Sequence, residues 1–244
     1  MDMHRITTHL VRQAGQSLAE AWQMFWPDRC CLCAQPGMEG LDLCRHCLAL
    51  AWSNHPACRR CALPLGDSVD DDGLCGSCQQ AAGPLLAVHA AWRYADPLDT
   101  LVQRYKFAGD LAAGRTLAGL MARSPPSWLC ADHVLMPVPL HRQRLRSRGF
   151  DQSRELVRLL ARLCGLQWQD GLTRVVTTAA QSGLTLADRR RNLSGAFQAL
   201  SGITGPVVLV DDVMTSGATL TAAAKALQRA GVTEVRAWVA ARTP

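Results

Sequence analysis

Residues 207–219 read VVLVDDVMTSGAT. A run of β-formers drives into two adjacent carboxylates, Asp211 and Asp212, and then into a turn of small residues around Gly217. Neighbouring carboxylates repel, so a turn that needed only polarity had less strained options. Sugar-phosphate binding suits this order. A helix that opens after the turn offers free N–H groups and the positive end of its dipole to an anion. Gly217 lets the backbone approach a ligand, and Thr215, Ser216 and Thr219 add hydroxyl donors around Ala218. Carboxylates beside such a cradle can accept hydrogen bonds from sugar hydroxyls. A divalent cation held by the sugar and a pyrophosphate would ease their repulsion. The ligand implied is a sugar 5-phosphate with free vicinal hydroxyls.

A second chemistry is written in cysteine. Four Cys-x-x-Cys pairs follow one another: Cys30/Cys33, Cys44/Cys47, Cys58/Cys61 and Cys75/Cys78. Each pair presents two thiolates to one tetrahedral ion, and two pairs complete a closed four-cysteine zinc site. Four pairs therefore imply two structural zincs. One redox dithiol would need a single such motif, and four would be redundant. Sequential pairing (30/33 with 44/47, 58/61 with 75/78) is expected, and a cross-braced pairing stays open. Cys31 is read as a bystander, and Cys130 and Cys164 as buried small apolar residues. Cysteine density of this kind fits metal binding in a reducing compartment.

The basic residues are 24 Arg against two Lys, Lys106 and Lys225, in a chain of net charge +6. Arg142, Arg144, Arg146 and Arg148 alternate, and Arg189, Arg190 and Arg191 are consecutive. A guanidinium is a planar fork suited to phosphate. These clusters are expected in loops that leave strand ends.

The elements that must position these residues alternate. Residues 87–94 read as a strand, 96–110 and 111–123 as helices and 133–140 as a strand. An arginine-rich loop follows, then helix 152–164 and a short strand near 172–176. A polar loop spans 177–195. Residues 196–200 form a weak strand and 207–212 a strong one, followed by helix 219–230 and strand 235–242. This alternation predicts an α/β domain with a largely parallel sheet and helices on both faces. The domains expected are an N-terminal amphipathic helix (1–27), a Cys-rich module of two zinc ribbons (28–80) and the α/β domain (85–244), which carries its own core. No apolar run reaches the length of a bilayer span. The first residues lack the apolar centre of a signal peptide, and a cytoplasmic location is expected.

LVDDVMTSGAT resembles the phosphoribosyl pyrophosphate (PRPP) motif of type I phosphoribosyltransferases. With RYKFAGD (104–110), MPVPLHRQRLRSRGFDQS (136–153), LTLADRRRNLSGAF (184–197) and the four cysteine pairs, the chain resembles the ComF (ComFC/GntX-like) competence family from residue 27 onward. The resemblance implies that Asp211 and Asp212 are the catalytic acids and hold the ribose hydroxyls, with Mg2+ bound alongside PRPP. Residues 215–219 would hold the 5-phosphate. Lys106, Arg142, Arg148 and Gln152 would serve the pyrophosphate loop, and Arg189, Arg190 and Asn192 the loop that closes over the site. Arginines at departing pyrophosphate stabilise its charge. Asp151 departs from the family pattern, which usually has Asn there.

Three functions follow from this resemblance. The chain is a Mg2+-dependent phosphoribosyltransferase tied to DNA uptake or nucleotide metabolism, a single-stranded DNA-binding protein, or a PRPP-responsive adaptor that docks a competence helicase without chemistry. Arg59, Arg60 and Trp52 favour a DNA backbone at the ribbons, while Asp67 and Asp70 to Asp72 oppose it. The C-terminus ends two residues after the last strand, so an acceptor-base hood must come from 95–130 or from the ribbons.

Overall fold

The computed structural model describes residues 29–38, 40–66, 73–175 and 195–244. The expected helix within 1–27 and most of the polar loop 177–195, including Arg189 to Asn192, lie outside the described residues.

Five strands form one parallel sheet in the order β1-β7-β6-β2-β3. They are β1 (Val88–Arg93), β2 (Val134–Pro137), β3 (Gln167–Trp168), β6 (Val207–Met214) and β7 (Val235–Arg242). A separate antiparallel pair joins β4 (Leu172–Arg174) to β5 (Phe197–Ala199). The central strands are apolar on both faces, as a sheet covered on both sides requires: Val207 to Val210 and Ala237 to Val239 are fully buried.

The helices of the α/β unit are α3 (Leu98–Phe107), α4 (Leu111–Arg123), α5 (Arg142–Arg148), α6 (Gln152–Cys164) and α7 (Ala218–Arg229), preceded in the ribbons by α1 (Arg45–Ala49) and α2 (Gly76–Gln80). Asp110 caps α4 by accepting from the amides of Ala112 and Ala113. Asp151 caps α6 by accepting from Arg154 N, and its other oxygen accepts from Leu140 N. Such caps satisfy the orphan donors of a first turn. The segment after β2, expected to be a loop, is the helix α5. Arginines two apart on a helix do not share a face, whereas residues four apart do.

Hydrophobic burial does not stop at residue 85. One core cluster unites Leu41, Leu43, Cys44 and Cys47 with Leu98, Leu101, Leu117 and Leu120 of α3 and α4. Arg104 donates to the Cys31 carbonyl, and Arg115 pairs with Asp42 at 3.1 Å. The second cysteine cluster is tied to the other edge. Ala62 belongs to the core cluster that contains Val88 and Ala90. Asn54, buried at 3% exposure, donates to the carbonyls of Ala62 and Ala90. The Arg242 guanidinium donates to the carbonyls of Cys61 and Met214. Both ribbons are therefore packed onto the α/β unit, whose own residues make up most of both core clusters.

Candidate functional site

Strand β6 ends unevenly. Its last partner on β2 is Val210, but it runs on beside β7 to Met214. Asp211 and Asp212 stand where β2 has just left off, at the carboxyl end of the sheet, where ligands enter open α/β folds. The strand continues two residues past the end expected for it.

Asp212 is 5% exposed, and its Oδ1 lies 2.8 Å from Lys106 Nζ. Asp211 Oδ1 accepts from Ser153 Oγ at 2.9 Å and from the Asp212 amide at 2.9 Å. Burial and the adjacent Asp212 carboxylate push Asp211 up to about 7, against the pull of Lys106 and Ser153. Lys106 reaches the acids because Tyr105, its neighbour on α3, is anchored. The Tyr105 hydroxyl donates to the Gln152 carbonyl at 2.8 Å, and its ring lies so close to Gly114 that a Cβ there would come within 2.5 Å.

The turn after β6 brings Gly217 into the left-handed region (φ +73°), and a Cβ on it would meet Met214 Cε at 2.4 Å. Glycine is favoured there by the left-handed backbone, while the Met214 methyl, the end of a flexible side chain, would have to shift for any Cβ. Gly217 is the N-cap of α7 and supplies no side-chain acceptor to the first turn. Ser216 Oγ accepts weakly from Ala218 N at 3.4 Å. Beside this turn a hollow of about 470 Å³ is lined by Ser216, Ala218, Thr221 and Lys225 among others.

On the other side of the acids, a cleft of about 550 Å³ is lined by Lys106, Phe107, Gly109, Arg144, Ser147 and Arg148. Arg144 and Arg148, four apart on α5, face it. Arg142 and Arg146 are exposed and do not line it. Arg148 donates to Gln152 Oε1 at 3.1 Å and lies 5.3 Å over the Phe107 ring. Gln152 is almost fully buried, so it orders Arg148 from within the core.

Three participants were not singled out from sequence. Ser153 directly holds Asp211 and lies at the end of the 136–153 stretch. Phe107 is 75% exposed at the cleft and lies within RYKFAGD. Arg174, on β4 over Phe197 at 5.4 Å, is depressed by burial and by Arg144, and Asp211 draws it back. No motif marks Arg174.

The cysteines group as two sets, Cys30/Cys33/Cys44/Cys47 and Cys58/Cys61/Cys75/Cys78. Within each, the sulfur atoms lie within 4.8 Å of one another. This is sequential pairing. Tetrahedral Zn–S bonds of about 2.3 Å place sulfurs about 3.8 Å apart, and Cys33 to Cys44 and Cys61 to Cys75 are both 3.6 Å. The Cys47 amide donates to Cys44 Sγ, the contact that steadies a metal-binding knuckle. Both sets are compatible with structural zinc. Cys130, expected to be buried, is exposed and bonded to His133.

Comparison with known proteins fits this geometry. A double zinc ribbon domain model matches residues 21–80, and a phosphoribosyl transferase domain model matches residues 175–244. Parallel sheet, acid pair, glycine turn and cysteine clusters, with the two domain matches, define a protein with a phosphoribosyltransferase-type domain and a double zinc ribbon. The chain is 33% identical to the DNA utilization protein YhgH of Escherichia coli O157:H7, over 89% of this chain and 98% of that one. It is 35% identical to Competence protein F of Haemophilus influenzae, over 69% and 78%. The chain belongs to the ComF family that these proteins represent. Competence protein ComFC of Streptococcus pneumoniae is 27% identical over 65% and 69%. Among solved structures, the allosteric regulatory enzyme of purine biosynthesis matches at 25% identity and a TM-score of 0.35. That match covers half of this chain and about a quarter of the other, too slight to bear on function. Among the described residues no helix is long and apolar enough to cross a membrane.

Proposed function

We infer that the chain binds PRPP with Mg2+ at residues 211–219 and acts as a phosphoribosyltransferase-like protein in the use of DNA. One observation carries this reading: an acid pair, Asp212 buried and Asp211 partly so, held by Lys106 and Ser153, abuts a helix whose N-cap, Gly217, has no side chain to offer its first turn. In this arrangement Asp211 and Asp212 receive the ribose hydroxyls. The amides of residues 215–219 receive the 5-phosphate. Arg144, Arg148 and Lys106 face the pyrophosphate from the cleft, where positive charge stabilises it as it departs. Bound Mg2+ would neutralise pyrophosphate charge and sit near the acids. Eight cysteines, Cys30, Cys33, Cys44, Cys47, Cys58, Cys61, Cys75 and Cys78, hold two zincs that brace the ribbons. Free thiols and zinc fit a reducing compartment, the cytoplasm. Titration of PRPP into the zinc-loaded chain, with and without Mg2+, tests binding. Pyrophosphate release on adding nucleobases then separates transfer from binding alone. An absence of PRPP binding under both conditions contradicts the reading.

A second reading, supported by Phe107, is that the cleft also takes single-stranded DNA. An exposed ring under a guanidinium is a stacking platform for a base, and the relatives are named for DNA utilization and competence. Phe107→Ala should then weaken oligonucleotide binding by about 1–3 kcal/mol. An unchanged affinity contradicts this second reading.

A further inference from the structure

The turn that opens α7 has a neighbour besides the acid pair. The hollow of about 470 Å³ beside it takes Ser216 from the turn and then Thr221, Lys225 and Arg229 from the helix. Residues 221, 225 and 229 are four apart, so they share one helix face. The rest of the lining comes from the connection 81–84, from Gly195 and from small residues of α7. That connection is held in place. Gln228 Nε2 donates to the Pro84 carbonyl at 3.0 Å, and the Leu86 amide donates to the Val235 carbonyl at 2.9 Å. Between them, Leu85 is buried in the core cluster that contains Leu227 and Val235.

The hollow carries charge of one sign. Lys225 is one of two lysines in the chain. Both Lys225 and Arg229 are exposed, and among the described residues no carboxylate lines the hollow. Two cations and two hydroxyls with no opposing acid select an anion rich in acceptor oxygens.

Helix geometry sets the length of that anion. Lys225 stands eight residues past Gly217, about 12 Å along the helix axis. Side chains on a helix lean toward its N-terminus, and an extended lysine brings its ammonium back by about one turn, ~5 Å. Lys225 thus serves an anion about one turn beyond a phosphate seated at 215–219. The second and third phosphates of a 5′-triphosphate cover that gap, passing Ser216 and Thr221, and Arg229 stands at the far end. PRPP does not use this space. Its pyrophosphate is on carbon 1, toward the cleft of Lys106, Arg144 and Arg148, and carbon 5 carries a single phosphate.

We propose that the hollow extends the sugar-phosphate site for polyphosphates, so that nucleoside 5′-triphosphates bind in competition with PRPP. The ribose hydroxyls go to Asp211 and Asp212 and the first phosphate to the turn. The outer phosphates go to Ser216, Thr221, Lys225 and Arg229. No bond is made or broken; the nucleotide occupies the site and keeps PRPP out. This inference rests on the reading of 211–219 as the PRPP site.

The test titrates AMP and ATP into the zinc-loaded full chain without added Mg2+, so that phosphate charge is unmasked, beside a titration of Mg2+-PRPP. The wild type is expected to bind ATP about tenfold more tightly than AMP, with an advantage that shrinks as salt screens the exposed cations. Saturating Mg2+-PRPP should exclude ATP. Lys225→Gln combined with Arg229→Gln should erase the advantage of ATP while AMP and Mg2+-PRPP bind as they do to the wild type. Melting curves verify the fold, and Lys225→Gln alone decides if the double variant is unfolded. Equal affinities for AMP and ATP overturn the proposal, as does an advantage that survives in the folded variant or ATP binding alongside saturating PRPP. A wild type that binds no Mg2+-PRPP contradicts the PRPP reading itself, whereas PRPP binding with equal AMP and ATP affinities overturns only the extension.

Discussion

Lys106 Nζ lies 2.8 Å from Asp212 Oδ1, so the last turn of α3 neutralises an acid on the central strand. Asp212 is nearly buried, and an ion pair broken at such a place leaves an uncompensated charge. Lys106→Met should therefore raise the proton affinity of the acid pair. It should weaken Mg2+-PRPP binding about tenfold, ~1.4 kcal/mol. Calorimetric titration of the variant checks this, and an affinity equal to wild type would show that Lys106 serves only the fold.

The elevation of Asp211 gives a pH dependence of defined sign. Its folded value, about 7, lies above the ordinary 3.8. The folded state thus holds this proton more tightly than the unfolded chain. That contribution to stability is present at low pH and is lost as pH rises through about 7. Ligand binding runs the other way, because Mg2+ and ribose hydroxyls need the ionised pair. Affinity for Mg2+-PRPP should rise between pH 6 and pH 8 and release protons beyond those of the ligand's own phosphate, on the order of one per site. Titrations in buffers of different ionisation enthalpy measure this excess, and Asp211→Asn should abolish it.

Zinc removal should affect more than the ribbons. Leu43, Cys44 and Cys47 share a core with Leu101 and Leu117, and Arg242 links Cys61 to the end of β6. Metal analysis should find about two zincs per chain. Cys44→Ser and Cys75→Ser should each lose one and lower the melting temperature of the whole unit in a single transition. A chelated chain that keeps its melting temperature contradicts the structural role.

Gly217→Ala meets both a left-handed φ and the Met214 methyl. The substitution should cost about 1–3 kcal/mol of stability and displace the phosphate turn. PRPP affinity should fall further than it does for Thr219→Ala, whose backbone can stay in place. Chemical denaturation and titration of the two variants make the comparison.

What could be read from sequence was what lies close along the chain. The acid pair, Gly217 and the four cysteine pairs are local patterns with a physical reason for each spacing. Helix 152–164 was legible from the stop at Gly165, which takes the left-handed conformation; its cap, Asp151, is seen in the fold. Helix α5 was not, because seven residues with Leu145 as their only large apolar side chain, itself exposed, present no stripe. Ser153 on Asp211 and Lys106 on Asp212 are made by tertiary packing of α6 and α3 against β6, and no local spacing encodes them. Cys130 and His133 stand three apart, a spacing that means little until a turn brings them together and Arg236 arrives from β7. That Leu41, Leu43 and Ala62 extend the core of 85–244 into the ribbons was not legible, because they lie in a cysteine-rich stretch that composition assigns to metal alone.

The central claim is that the acid pair and phosphate turn bind PRPP. Isothermal titration of Mg2+-PRPP into the wild-type chain and into the Asp211→Asn, Asp212→Asn double variant tests it most directly, with melting curves to verify that the variant is folded. The account predicts saturable binding to the wild type that requires Mg2+ for full affinity, and a loss of at least about tenfold in the variant, ~1.4 kcal/mol. Superimposable titration curves for the two folded proteins would contradict it.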